Sequence, residues 1–266
     1  MLLLERLTQF LERSFAGRCL YRFVELEGVD RALALSSRAF IAVIPLAVVA
    51  TALTPTGESF GDRLVDRFEL EGEASETIRQ LFATPSEVRG TATVVGLGAL
   101  LVTCVSFARL LQRTYERVWR LETLGLRGIL RGLVWIGGFA AWLAFVVPSR
   151  DWLRDLGGPM FYVIVTVAAS TVLWTWTPYI LLGGRIPWRR LLPGAVVAAA
   201  GLTTLTALSI FYLPVTIERS AEAYGLIGVT FAFVSWLFAS ALVIIVSAVI
   251  GAEASRLPPP TSGTAS

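Results

Sequence analysis

Six stretches of this chain, approximately 32–54, 91–108, 132–148, 160–182, 191–213 and 226–252, are apolar over lengths that a water-soluble fold has no use for. A helix rises about 1.5 Å per residue, so roughly 20 apolar residues cross the hydrocarbon of a bilayer. Residues 160–182 and 226–252 carry no charge at all, far beyond the roughly 4 to 8 residues of a buried strand. The predicted fold is all-α: a polytopic membrane helix bundle with six transmembrane helices.

The arginines between these stretches are sorted by side. Arg6, Arg13, Arg18, Arg22 and Arg31 precede the first stretch; Arg109, Arg113, Arg117, Arg120, Arg127 and Arg131 fill 109–131; Arg185, Arg189 and Arg190 fill the short loop at 183–190. The alternate loops are poorer, with Arg150 and Arg154 in one and Arg219 in the other. By the positive-inside rule both termini are cytoplasmic, and the protein is expected in a bacterial plasma (inner) membrane as a multi-pass chain.

The long loop 55–90, with four arginines against eight acids, is expected outside. Its Phe60, Leu64 and Phe68 suit a partly helical segment, and Thr84-Pro85-Ser86-Glu87 has the make-up of a helix start. Residues 1–31 form an expected cytoplasmic segment, in which Leu4, Leu7, Leu11 and Phe15 oppose arginines, as in an amphipathic helix lying on the membrane interface or packed on cytoplasmic loops. No removable signal peptide is expected, and 253–266, ending in a proline and serine run, are expected as a disordered cytoplasmic tail.

Composition narrows the chemistry. All 23 basic residues are arginine and there is no histidine, so the sequence offers no imidazole base and no usual zinc ligand set. The two cysteines, Cys19 and Cys104, are expected to stay apart. Neither a Gly-x-Ser-x-Gly elbow nor a phosphate-binding Gly-x-x-x-x-Gly-Lys loop is present. No catalytic, cofactor or metal residue is assigned, and an enzyme is not expected.

Arg38 stands about 9 Å into an apolar helix that begins near Ala32. An intramembrane charge is a functional candidate, against the alternative that the helix starts nearer Ala39 and Arg38 snorkels to head groups. Pro45 and Pro178 each remove a helical hydrogen bond, at a cavity or at a packing kink. Thr166, Ser170 and Thr177 on one helix, and Gly194, Ala198 and Gly201 on another, form stripes suited to close helix packing. Trp119, Trp188, Tyr115 and Tyr179 fall where an inner aromatic belt belongs. The pentapeptides around Trp142 and Trp236, Phe139-Ala140-Ala141-Trp142-Leu143 and Phe233-Val234-Ser235-Trp236-Leu237, hint at a 3+3 inverted repeat.

One run carries a resemblance: Gly184-Arg185-Ile186-Pro187-Trp188-Arg189-Arg190-Leu191-Leu192-Pro193-Gly194-Ala195. Tyr224-Gly225-Leu226-Ile227-Gly228 opens the last apolar stretch, Gly251-Ala252-Glu253 closes it, and Asp30 and Ala32-Leu33-Ala34 precede the first. In order and spacing these segments resemble the YihY/BrkB family of six-helix bacterial inner-membrane proteins, from about residue 20 to 255. Arg38 departs from the family, which usually carries an apolar or aromatic residue there.

The resemblance implies fold and location. Members have carried a ribonuclease label, which the missing metal ligands and general base argue against. Gly225 and Gly228 would allow a tight start to the last helix, Gly184, Pro187 and Trp188 would shape the preceding loop with Pro193 and Gly194 following it, and Glu253 would pair with an arginine of 109–131 or 185–190.

The functional expectation is a transporter-like protein for a lipid or another anionic amphiphile. Its cytoplasmic arginines, Arg109 and Arg113 among them, would gather anionic head groups of membrane lipids. The alternative is a non-transporting scaffold or partner-binding component, with protein partners undefined and a homo-oligomer allowed. A membrane-embedded enzyme ranks third, and no nucleic-acid partner is expected.

Overall fold

The computed structural model describes residues 14–52, 65–66, 75–76, 79, 89–125, 127–146, 149–224 and 226–255. Among these residues the longer elements are all helices: α1 Phe15–Glu25, α2 Gly28–Ala52, α3 Arg89–Val118, α4 Arg127–Val146, α5 Ser149–Leu181, α6 Trp188–Tyr224 and α7 Leu226–Ala254. Each of the six apolar stretches is helical over its described residues, apart from Leu182 in the turn after α5. Four helices are long and apolar enough to cross a membrane, over Val94–Val118, Met160–Leu181, Trp188–Ser209 and Ile227–Ala254. The expectations for residues 1–13, for Phe60, Leu64, Phe68 and 84–87, for Gly225 and for the tail beyond Ser255 fall outside the described residues.

Several boundaries move. Helix α3 continues through Arg109, Arg113 and Arg117, which the sequence assigned to a loop. It stops where the αL residue Arg120 (φ 52°) lets Leu121 N donate to Glu116 O at 2.8 Å and Arg120 N to Arg117 O at 3.1 Å. Helix α5 ends by the same device at Gly183 (φ 71°), with Gly184 N donating to Tyr179 O at 2.9 Å. Its other end reaches back to Ser149, but Gly158 (φ 74°, ψ −177°) breaks the helix just before the apolar part begins at Met160. That backbone region is open essentially to glycine alone.

Helix α2 starts at Gly28 and runs unbroken past Arg38, so the alternative start near Ala39 is not what forms. Helix α7 includes Glu253, which is buried, so the expected tail cannot begin there.

The chain divides into two compact units. The first comprises 1–30, 111–201 and 242–266, and the second 31–110 and 202–241. In the first, Leu111, Tyr115 and Val118 of α3, Leu173 and Leu181 of α5, Leu191, Ala195 and Ala199 of α6, and Ile245 and Val249 of α7 make the core. The core of the second includes Ala32 and Leu35 of α2, Ala108 of α3, and Val229 and Ala232 of α7.

Within the first unit the close approach of α6 to α7 depends on glycine. A Cβ on Gly194 would lie 2.8 Å from the Ser247 carbonyl oxygen, and one on Gly251 would lie 2.7 Å from Gly194 Cα. Both are backbone contacts that cannot yield, so the small-residue stripe serves packing. Helices α4 and α5 are tied by Trp135 Nε1 donating to Thr177 Oγ1 at 3.1 Å between buried side chains.

Candidate functional site

The first unit gathers its charges around two buried carboxylates. Glu116 sits in the last turn of α3, 1% exposed, where the helix carries it inward beside Gln112, its neighbour one turn back. Its Oε1 accepts from Gln112 Nε2 at 2.9 Å, Leu124 N at 3.1 Å and Arg185 Nη2 at 3.2 Å. Arg185 also donates from Nε to Leu182 O at 2.8 Å and from Nη1 to Glu122 O at 2.7 Å. One carboxylate thus clips the turn after α3 to the turn after α5, and its negative charge is matched by a guanidinium.

The second carboxylate is Glu253. Arg18 of α1, which lies outside the arginines of 109–131 and 185–190 named from the sequence, is an ion-pair partner at 3.8 Å. Helix α1, capped by Ser14 Oγ accepting from Gly17 N at 3.0 Å, turns Arg22 inward and leaves Arg18 exposed. Arg22, 4% exposed, donates to Glu25 Oε2 at 2.6 Å and caps the end of α3 at Arg117 O (2.8 Å) and Val118 O (3.2 Å). Leu20, Tyr21 and Val24 on the opposite arc are exposed. The expected amphipathic helix is thus described only over its last part, where Arg22 packs on the end of α3 while an apolar arc stays exposed. Burial and the Glu253 carboxylate push the Cys19 thiol above its ordinary pKa, with Arg18 opposing. Cys19 and Cys104 are both free thiols.

A crevice in this unit is lined by Tyr115, Trp119, Trp174, Pro178, Gly194 and Ser247. Its free interior is about 10 Å³, room for about one water. Pro178 thus packs beside a small void. Tyr115, expected in the inner aromatic belt, is buried in the core of this unit. Arg131 lies against Gly183, where a Cβ would collide with its guanidinium, so the left-handed glycine also makes room for a cation.

The second unit holds Arg38 in a different setting. Arg38 is half-buried on α2, and its Nη1 donates to Ser106 O of α3 at 2.7 Å. Arg109 stands three residues beyond Ser106, about 4.5 Å along α3. Its Nη1 is buried with no hydrogen-bond partner among the described residues.

The remaining candidates scatter. Pro45 lies inside α2 and Arg113 is exposed on α3. Gly184 (φ 70°), Pro187, Trp188 and Pro193 are exposed around the start of α6, with Arg189 stacked 5.5 Å over the Trp188 ring. Gly228 is buried in α7, and Tyr224 closes α6. Phe139 and Trp142 stack at 6.3 Å, as do Phe233 and Trp236 at 6.3 Å. Spacing of i,i+3 on a helix produces that contact by itself.

Sequence reading missed Glu116, Gln112, Arg185 and Arg22 as a set. A visible signal was available: Gln112 and Glu116 stand four apart inside the arginine-rich run, and Glu116 is the lone acid between Arg109 and Arg120.

Comparison with known proteins agrees with the helical pattern. Residues 19–264 match the family described as virulence factor BrkB. A UPF0761 membrane protein of Nitrosospira multiformis is 22% identical over 263 residues, covering 91% of this chain and 61% of that protein. Another UPF0761 membrane protein, from Stenotrophomonas maltophilia, is 23% identical over 208 residues, 70% of this chain and 48% of that protein. The chain therefore spans less than two thirds of the length of these relatives. No solved structure matches it. A family match over nearly the whole chain, joined to four helices of bilayer-crossing length, makes this chain a membrane protein of the BrkB (YihY/BrkB) family.

Proposed function

We propose that this is a six-crossing inner-membrane protein with both ends in the cytoplasm, transporter-like in activity, that handles a lipid or another anionic amphiphile. The single observation that supports it is Arg38: a permanent charge ten residues inside α2, half-buried, with a backbone carbonyl and no carboxylate as its bonded partner among the described residues. A charge kept in an apolar helix at such a cost marks a ligand path more often than it serves stability.

The test is a flux assay. Purified chain in vesicles should move fluorescent anionic lipid or small organic anions, and Arg38→Ala should slow that flux at least about tenfold, the equivalent of one strong charged contact. Vesicles that show no flux under either gradient direction defeat the reading.

A second reading, a non-transporting scaffold, is favoured by the backbone-to-backbone contact of α6 with α7 at Gly194 and Gly251, which resists sliding. On that reading the arginine-rich cytoplasmic end holds a partner, and crosslinking in native membranes would recover one at fixed stoichiometry. Neither reading gives the chain a catalytic group.

A further inference from the structure

We propose that Arg38 and Arg109 together form a binding site for a phosphate-bearing anion, a lipid head group or a free phosphate, between α2 and α3. The proposal rests on the transporter-like reading above and supplies its ligand class.

The geometry starts from Ser106. Arg38 Nη1 reaches the Ser106 carbonyl oxygen at 2.7 Å, and Arg109 follows Ser106 by three residues on the same helix. Positions three apart share a helix face, and long helical side chains lean toward the N-terminus, so Arg109 points back toward the place Arg38 occupies. Both residues belong to one compact unit, and Leu35 and Ser36, in the turn before Arg38, and Ala108, beside Arg109, are buried.

The electrostatics are unbalanced. Neither guanidinium has a carboxylate within ion-pair distance among the described residues, whereas Arg18, Arg22, Arg120 and Arg185 each do. Arginine cannot escape by losing its proton, so two half-buried like charges repel with less screening than in water. The buried Arg109 Nη1 also lacks any acceptor among the described residues, and an unmet charged donor is costly. A phosphate answers both demands: it carries the missing negative charge and offers several oxygens to two planar forks. In a membrane protein, phosphates are presented at head-group level in a leaflet, where a guanidinium from an apolar helix end can meet them.

The experiment titrates the purified full chain in detergent with phosphatidylglycerol, reading bound lipid by native mass spectrometry, with zwitterionic phosphatidylcholine as the comparison. Wild type should bind phosphatidylglycerol at least about tenfold more tightly than phosphatidylcholine, and Arg38→Met and Arg109→Met should each weaken it about tenfold, the scale of one lost charge-assisted pair. Inorganic phosphate is the second arm: displacement of the lipid at millimolar concentration identifies a free phosphate as the ligand, and no displacement identifies the head group. Either outcome supports the site.

Unchanged phosphatidylglycerol binding in both variants, or equal binding of the two lipids to wild type, overturns it. Should the methionine variants fail to fold, Arg38→Lys and Arg109→Lys take their place. They keep the charge and lose the fork, so unweakened binding in both is equally fatal. The flux assay separates the two claims: intact lipid binding without flux leaves the site standing and removes transport, and flux with arginine-independent lipid binding does the reverse.

Discussion

Two pairs of arginines, one pair in each compact unit, are held in opposite ways. In the first, Arg22 and Arg185 are spent: each guanidinium meets a carboxylate and at least two backbone carbonyls, and each ties together segments distant in sequence. In the second, Arg38 meets one carbonyl and Arg109 presents a buried donor with no acceptor among the described residues. The residue type is the same. The matched pair holds the fold, while on the reading proposed above the pair at Arg38 and Arg109 keeps its charge for a ligand.

The sharpest way to break this contrast is Glu116→Ala. It strands Arg185, Gln112 and the Leu124 amide around an empty site, and a buried pair broken from one side costs about 3–5 kcal/mol. Thermal unfolding in detergent should fall steeply, and a variant that melts with wild type would mean the first unit does not lean on its matched charges. Arg38→Met supplies the other half: its stability should change by less than about 1 kcal/mol, because one hydrogen bond is lost and a burdensome charge is removed with it.

Next in size is Gly194→Val. The added atoms meet the Ser247 carbonyl and Gly251, neither of which can move aside cheaply, and overpacking of this kind costs about 1–3 kcal/mol. Smaller again is Thr177→Val, which leaves Trp135 Nε1 without its acceptor, at about 1 kcal/mol for a hydrogen bond between membrane helices. Both are read from the same melts, and an inverted order would show that the polar contact outweighs the packing.

The smallest effect is on rate. Glu253 and burial hold the Cys19 thiol above its ordinary pKa, which favours the neutral form, so iodoacetamide at pH 8 should label Cys19 more slowly than a free peptide thiol. In a Cys104→Ser background, Glu253→Gln removes one raising influence, the thiolate forms at lower pH, and labelling should quicken by a few fold. An unchanged rate would place the carboxylate too far away to matter.

Much of this molecule was legible in its residues. The helices follow from uninterrupted apolar runs, and Gly194 was visible as a close-packing position, whereas Gly251, which meets it, was not. Helix ends were less so, because Arg109, Arg113 and Arg117 look like loop residues until the αL turn at Arg120 shows where α3 stops. Glu253 was recognisable as a carboxylate that would pair, but neither its burial nor the partnership with Arg18, 235 positions earlier, was recognisable.

The sequence by itself determined that the chain is helical and made for a bilayer, since transfer of apolar residues out of water is a local property that each segment carries alone. Only the tertiary structure decided which arginines are neutralised. Arg185 and Glu116 are 69 residues apart, and a charge has no fixed worth until the fold sets the distance and dielectric between it and its counterpart.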